Sequence, residues 1–145
     1  MKGRDIKDKI SQGWLKVNLL FEVLGRPKEH VEEALKLVLE QIEKEEKVIM
    51  LEKRIHESKE IDELFSTFAD IDILVENVFT LLQFVFRYMP SSIEITEPTE
   101  FKLGLADLNS FFNDLSARLH QYDMALKREK IKNDILEKKL AEKSN

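Results

Sequence analysis

Leu15-Lys16-Val17-Asn18-Leu19-Leu20-Phe21-Glu22-Val23-Leu24 is the stretch that decides the fold class. Leu15, Val17, Leu19, Phe21 and Val23 fall on one face and Lys16, Asn18, Leu20, Glu22 and Leu24 on the other. That is the period-2 pattern of a strand with one wholly apolar side, which other elements must cover. Upstream, residues 5 to 12 suit a short turn of helix that ends near Gly13. Downstream, Gly25-Arg26-Pro27 breaks the strand, and Pro27 suits a first helical position because its missing N–H has no helical partner there.

The spacing then predicts a helix to about Glu46, with Val31, Leu35, Val38 and Ile42 as its buried stripe. Glu32 with Lys36 and Glu40 with Lys44 are i,i+4 pairs of the favourable orientation on its wet side. A second strand is expected over Lys47 to His56, a hairpin connection over Glu57 to Asp62, and a short third strand over Leu64 to Ala69. From Asp70, a plausible N-cap, the spacing of Ile71, Leu74, Val75, Val78, Leu82, Val85 and Met89 predicts a helix that Pro90 stops. Ser91 to Glu97 alternates as a fourth strand before Pro98.

Strand, helix, strand, strand, helix, strand is the order of the ferredoxin-like βαββαβ sandwich, in which two helices cover one face of a four-stranded antiparallel sheet. The expected class is therefore α+β, with a body over residues 1 to 98 and a long C-terminal helix over 99 to 145. An all-helical bundle is the alternative, should the two short central strands be helical. The likeness is to a fold that hosts many unrelated functions, so it licenses no activity.

The final helix carries a seven-residue register. Leu105, Phe112, Leu119, Leu126, Asn133 and Leu140 occupy one seam position, and Leu108, Leu115, Tyr122, Glu129 and Leu136 the other. A stripe sustained in this way faces a neighbouring helix along its whole length. Asn133 at a seam position either fixes register in a parallel pair or marks where the helix passes into water. The helix expected over 70 to 89 is apolar nearly all round, since Ile73, Phe79, Leu81, Phe84, Phe86 and Tyr88 lie off its main stripe. It needs cover on two sides, one from the sheet and one from the seam of the final helix, in the same chain or in a second copy. Leu105, Leu108, Phe112, Leu115, Leu119, Tyr122, Leu126, Phe79 and Phe86 are accordingly the expected oligomer or partner interface, and a homodimer or higher oligomer the expected state.

Composition narrows the function classes. The net charge is −5, yet residues 127 to 145 carry seven basic and four acidic side chains. An acidic body repels polyanions, and cations near a helix C-terminus offset its dipole, so nucleic acid is an unexpected partner. With no cysteine there are no disulfides, no thiolate catalysis and no Cys-based zinc site. No apolar run is long enough to span a bilayer and no apolar signal segment follows Met1, so a soluble, cytoplasmic chain is expected. The Lys and Glu richness is of the kind seen in heat-adapted proteins.

Tests for chemistry come out bland. His30, His56 and His120 lie on separate elements without a second ligand at metal spacing, and Asp70-Ile71-Asp72 lacks the rest of a calcium loop. Glu94, Glu97 and Glu100 would not share a face, and four scattered glycines cannot build a phosphate loop. An RNA-recognition module shares this element order but needs aromatics on the open sheet face, whereas Phe65 and Phe68 point to opposite faces. No cofactor, no metal and no enzymatic activity are expected. The leading expectation is a non-enzymatic, self-associating protein; the alternative is a small-molecule sensor with a site near Gly25 to Pro27 or Pro90 to Ser92.

Overall fold

The computed structural model describes residues 1 to 144, which form two units, Met1–Phe101 and Lys102–Asn145, the last without the C-terminal residue. The first unit contains α1 (Gly3–Ser11), β1 (Leu15–Gly25), α2 (Lys28–Glu43), β2 (Val48–Ile55), β3 (Lys59–Ile61), β4 (Leu64–Val75), α3 (Val78–Tyr88) and β5 (Ser92–Glu97). The second contains α4 (Leu105–Ser144), one unbroken helix. The sheet is antiparallel throughout, in the order β2-β4-β1-β5, with β3 also paired to β4. Because β2 and β3 pair with successive parts of β4, they act as one edge strand broken at His56 to Ser58, and the order is that of the ferredoxin-like sandwich.

The register between β1 and β4 builds the core. Leu15 faces Val75, Val17 faces Ile73, Leu19 faces Ile71 and Phe21 faces Ala69, and all eight side chains are buried. Over this face α2 lays Leu35, Leu39 and Ile42, and α3 lays Leu81 and Phe84. The intervening residues of β1 and β4 point to the other face of the sheet, where Asn18, Leu20, Asp70 and Asp72 are half-buried and Leu74 is fully buried.

The expected third strand and second helix are corrected here. β4 runs six residues past Ala69, and α3 begins at Val78, capped by the Asn77 side chain, which accepts a hydrogen bond from the Thr80 N–H at 2.9 Å. Asp70 is therefore no helix cap but a mid-strand residue. Ala69-Asp70-Ile71-Asp72-Ile73 alternates strictly, so a long central strand buries its Ile face against the helices and shows its Asp face to solvent. The helical spacing of Ile71, Leu74 and Val75 arises because this end of β4 is buried on both faces.

The connection expected over Glu57 to Asp62 contains β3, and the reversal is the two-residue turn Asp62-Glu63, with φ of 49° and 68°. Two successive positive φ values give a tight hairpin turn of the hand that suits strand twist. Pro27 sits one position before the helix, as the N-cap of α2, and its carbonyl accepts from His30 and Val31. α2 ends at Glu43, three residues short of expectation.

Candidate functional site

α4 is 40 residues long, about 60 Å at 1.5 Å per residue. It starts where the Gly104 carbonyl accepts the Leu108 N–H, with Asp107 in its first turn and Lys143 in its last, both favourably placed for the helix dipole. Side-chain pairs reinforce it, Asp123 with Lys127 at 2.8 Å and Glu129 with Lys132 at 3.6 Å. Among its described residues none is buried. Along the seam Leu105 is 78% exposed, Phe112 56%, Leu119 53%, Leu126 70% and Leu140 66%. Leu108 and Leu115 are half-buried, and Tyr122 and Leu136 exposed.

Phe79 and Phe86 lie on α3, both half-buried. The turn of the helix places them with Leu82 on a second apolar stripe, away from Leu81 and Phe84. Leu81, Phe84 and Tyr88, expected off the main stripe, face the core together with Val78 and Val85 of that stripe, whereas Leu82 lies with Phe79 and Phe86 on the other side.

The open sheet face carries a polar network that the order of the residues along the chain does not reveal. Cross-strand register sets Asn18 of β1 opposite Asp72 of β4, and Arg54 of β2 opposite Asp70. The Asn18 amide donates to Asp70 Oδ1 at 2.6 Å and to Asp72 Oδ1 at 2.9 Å. Arg54 donates to Asp70 at 2.9 Å and to Asp72 at 3.1 Å, and pairs with Glu52 at 2.8 Å. The Arg54 guanidinium, and after it Asn18, hold the Asp70 carboxyl below its ordinary range, while Asp70 first and then Glu52 push the Arg54 proton affinity up.

A carboxylate so held stays charged at neutral pH and is a poor proton carrier. The network ties three strands together, and Asp70 within it starts no helix. Around it, Glu22 and Glu94 add negative charge to the same face by register, and Phe68 is stacked against His56 at 4.4 Å.

A second polar group lies where the loop after α2 meets the end of α3. Glu45 accepts from Arg87 at 2.7 Å and from the Tyr88 hydroxyl, at the edge of a cleft of about 320 Å³ that Val48, Thr80 and Phe84 also line. The Tyr88 hydrogen bond and then Arg87 lower the Glu45 carboxyl, while burial and then Glu45 raise Tyr88. Another cleft opens between α2 and β2, lined by Glu32, Leu35, Ile55, His56 and Thr67. Of the other histidines, His30 lies in the first turn of α2 and His120 on α4, both exposed. Among the described residues no three His, Cys, Asp or Glu side chains gather as metal ligands, and no helix is long and apolar enough to cross a membrane.

Comparison with known proteins places this arrangement. The MJ0538 family model matches residues 16 to 141, from the start of β1 to the last turns of α4. The chain belongs to the MJ0538 family. Protein MJ0538 of Methanocaldococcus jannaschii, described as uncharacterized, is 27% identical over 131 residues. That match covers 86% of this chain and 47% of MJ0538, so the chain spans about half the length of the curated relative it matches. No solved structure matches. The MJ0538 match takes in both the ferredoxin-like body and the seam of α4 up to Leu140, and leaves out α1.

Proposed function

We propose that this chain is a non-enzymatic, self-associating module, cytoplasmic, in which α4 joins two copies of the ferredoxin-like body. One observation carries the reading: an apolar seam runs in heptad register along a continuous helix, and Leu105, Leu119 and Leu126 on it are 53% to 78% exposed in the single chain. At ~25 cal/mol per Å² of apolar area, covering several such side chains is worth several kcal/mol, the scale of a whole domain's stability. Phe79 and Phe86, on the second stripe of α3, are the residues of the body that this reading assigns to self-association. Sedimentation equilibrium of the intact chain at micromolar concentration tests this directly. The expected mass is twice 17.1 kDa. A species that stays at one chain mass across that range refutes the reading.

A second reading, a small-molecule-binding body, is favoured by the cleft beside Glu45, Arg87 and Tyr88, whose volume lies at the lower end of ligand sites. Thermal shift against amino acids and nucleotides separates the two readings. Ligand at 100 times its Kd adds ~2.7 kcal/mol and raises the melting point, whereas a flat panel removes this reading.

A further inference from the structure

We infer that α4 pairs with the α4 of a second copy in parallel and in register, so that Asn133 meets its counterpart and Arg118 and Lys132 of each chain face Asp123 and Glu137 of the other. The inference rests on the self-association proposed above and adds its direction. With Leu105, Phe112, Leu119 and Leu126 at position a and Leu108, Leu115 and Tyr122 at d, the flanking g residues are Phe111, Arg118, Ala125, Lys132 and Lys139. The flanking e residues are Asn109, Ser116, Asp123, Lys130, Glu137 and Ser144.

In a parallel pair each g residue meets the e residue five positions on in the partner. That sets Arg118 beside Asp123 and Lys132 beside Glu137, twice each by symmetry, and sets no like charges together. The antiparallel alignment that overlaps the full helix does the opposite, because g then meets g and e meets e. It puts Arg118 against Lys132 twice and Asp123 against its own counterpart.

The seam layers agree with the flanks. Side by side, two Asn133 amides can hydrogen-bond each other, the arrangement by which a single buried Asn fixes register in parallel dimers. Run antiparallel, Asn133 would lie against Leu115 with its amide unmatched, and Glu129 against Leu119. Asp123 and Lys132 already pair within their own helix, with Lys127 and Glu129, but these are exposed contacts on flexible side chains and yield readily to a partner.

Because the chain has no cysteine, a single introduced thiol reports direction cleanly. In the full chain, Leu140→Cys is oxidised gently at low micromolar concentration and run without reductant, beside Leu105→Cys and an equal mixture of the two. A parallel pair brings the two position-140 sulfurs within disulfide reach, whereas the antiparallel one parts them by about 48 Å. Each variant is expected to cross-link to itself, and the mixture to give no link between positions 105 and 140.

A charge series checks the flanks. Glu137→Lys should weaken association about tenfold, and adding Lys132→Glu in the same chain should restore it. A chain that sediments at twice its mass but fails to link at position 140, or links 105 to 140, overturns the parallel arrangement and leaves self-association standing. So does a double variant no tighter than the single. A chain that sediments as a monomer removes the self-association on which the inference rests.

Discussion

Leu126 and Ile131 are equally greasy, almost equally exposed and five residues apart on one helix, and they should respond oppositely to truncation. Leu126 lies on the seam at position a and is 70% exposed; Ile131 lies at position f, the outer face, and is 59% exposed. Leu→Ala removes about three methylene equivalents, worth ~2 kcal/mol when the side chain passes from full exposure to full burial. Scaled by 70%, the loss is about 1.5 kcal/mol per chain, or ~3 kcal/mol per dimer, which raises the dissociation constant ~150-fold. Ile131→Ala should change it by less than about threefold, because that side chain stays in water in both states. Sedimentation equilibrium over a concentration series measures both variants, and circular dichroism confirms that each remains folded. Equal losses in the two would refute the seam and point to unspecific clustering of apolar side chains; no loss in either would remove α4 from the interface.

Four further outcomes test the body. Ile73→Ala opens a hole in a fully buried site on the helix-covered face of β4 and should cost about 3 to 4 kcal/mol in urea unfolding, an effect no exposed helical position would show. Asn77→Ala removes the cap on α3 and should cost about 1 kcal/mol, lowering the melting temperature of a domain this size by about 4 to 8 °C. Asp62→Asn with Glu63→Gly relieves two positive-φ positions and should stabilise by about 1 kcal/mol, whereas Glu63→Ala should not. Asp70 and Glu45 are held below their ordinary values by Arg54 and Asn18 and by Tyr88 and Arg87; their contribution is full above the unfolded carboxylate values and lost as pH falls through the depressed folded ones, so stability should drop below about pH 4 and Asp70→Asn should flatten that drop.

The parts of the fold that follow from near neighbours were legible in the sequence. β1 shows its alternation, α2 its stripe and α4 its register because each pattern is local and faces a single environment. β4 was half hidden because its far end is buried on both faces. Ile73 and Val75 point to the helices and Leu74 to the open side, all with no exposure, so the segment lost its period-2 signature and borrowed a helical one. Two local signals favour the strand: the alternation of Asp70 and Asp72 with β-branched neighbours, and Asn77 just before Val78. The polar network could not be read at all. Asn18 and Asp70 stand 52 residues apart, and only the pairing of three strands brings them to 2.6 Å.

On the proposed pairing, the polar layers of the seam separate affinity from alignment. From Leu105 to Leu126 every a and d position is apolar; then Glu129 and Asn133 take two successive places before Leu136 and Leu140 resume. A helix shaped only for affinity would carry leucine at both, and a uniform leucine seam tolerates either direction and more than one register. In the proposed pair, polar layers in the distal part would leave the apolar heptads to supply the attraction and give the distal turns the task of rejecting wrong alignments. The family match reaches residue 141, so the matched span includes Glu129, Asn133 and the leucines that follow them. Affinity and alignment should thus be separable by mutation, the first lost at Leu119 or Leu126 and the second at Asn133.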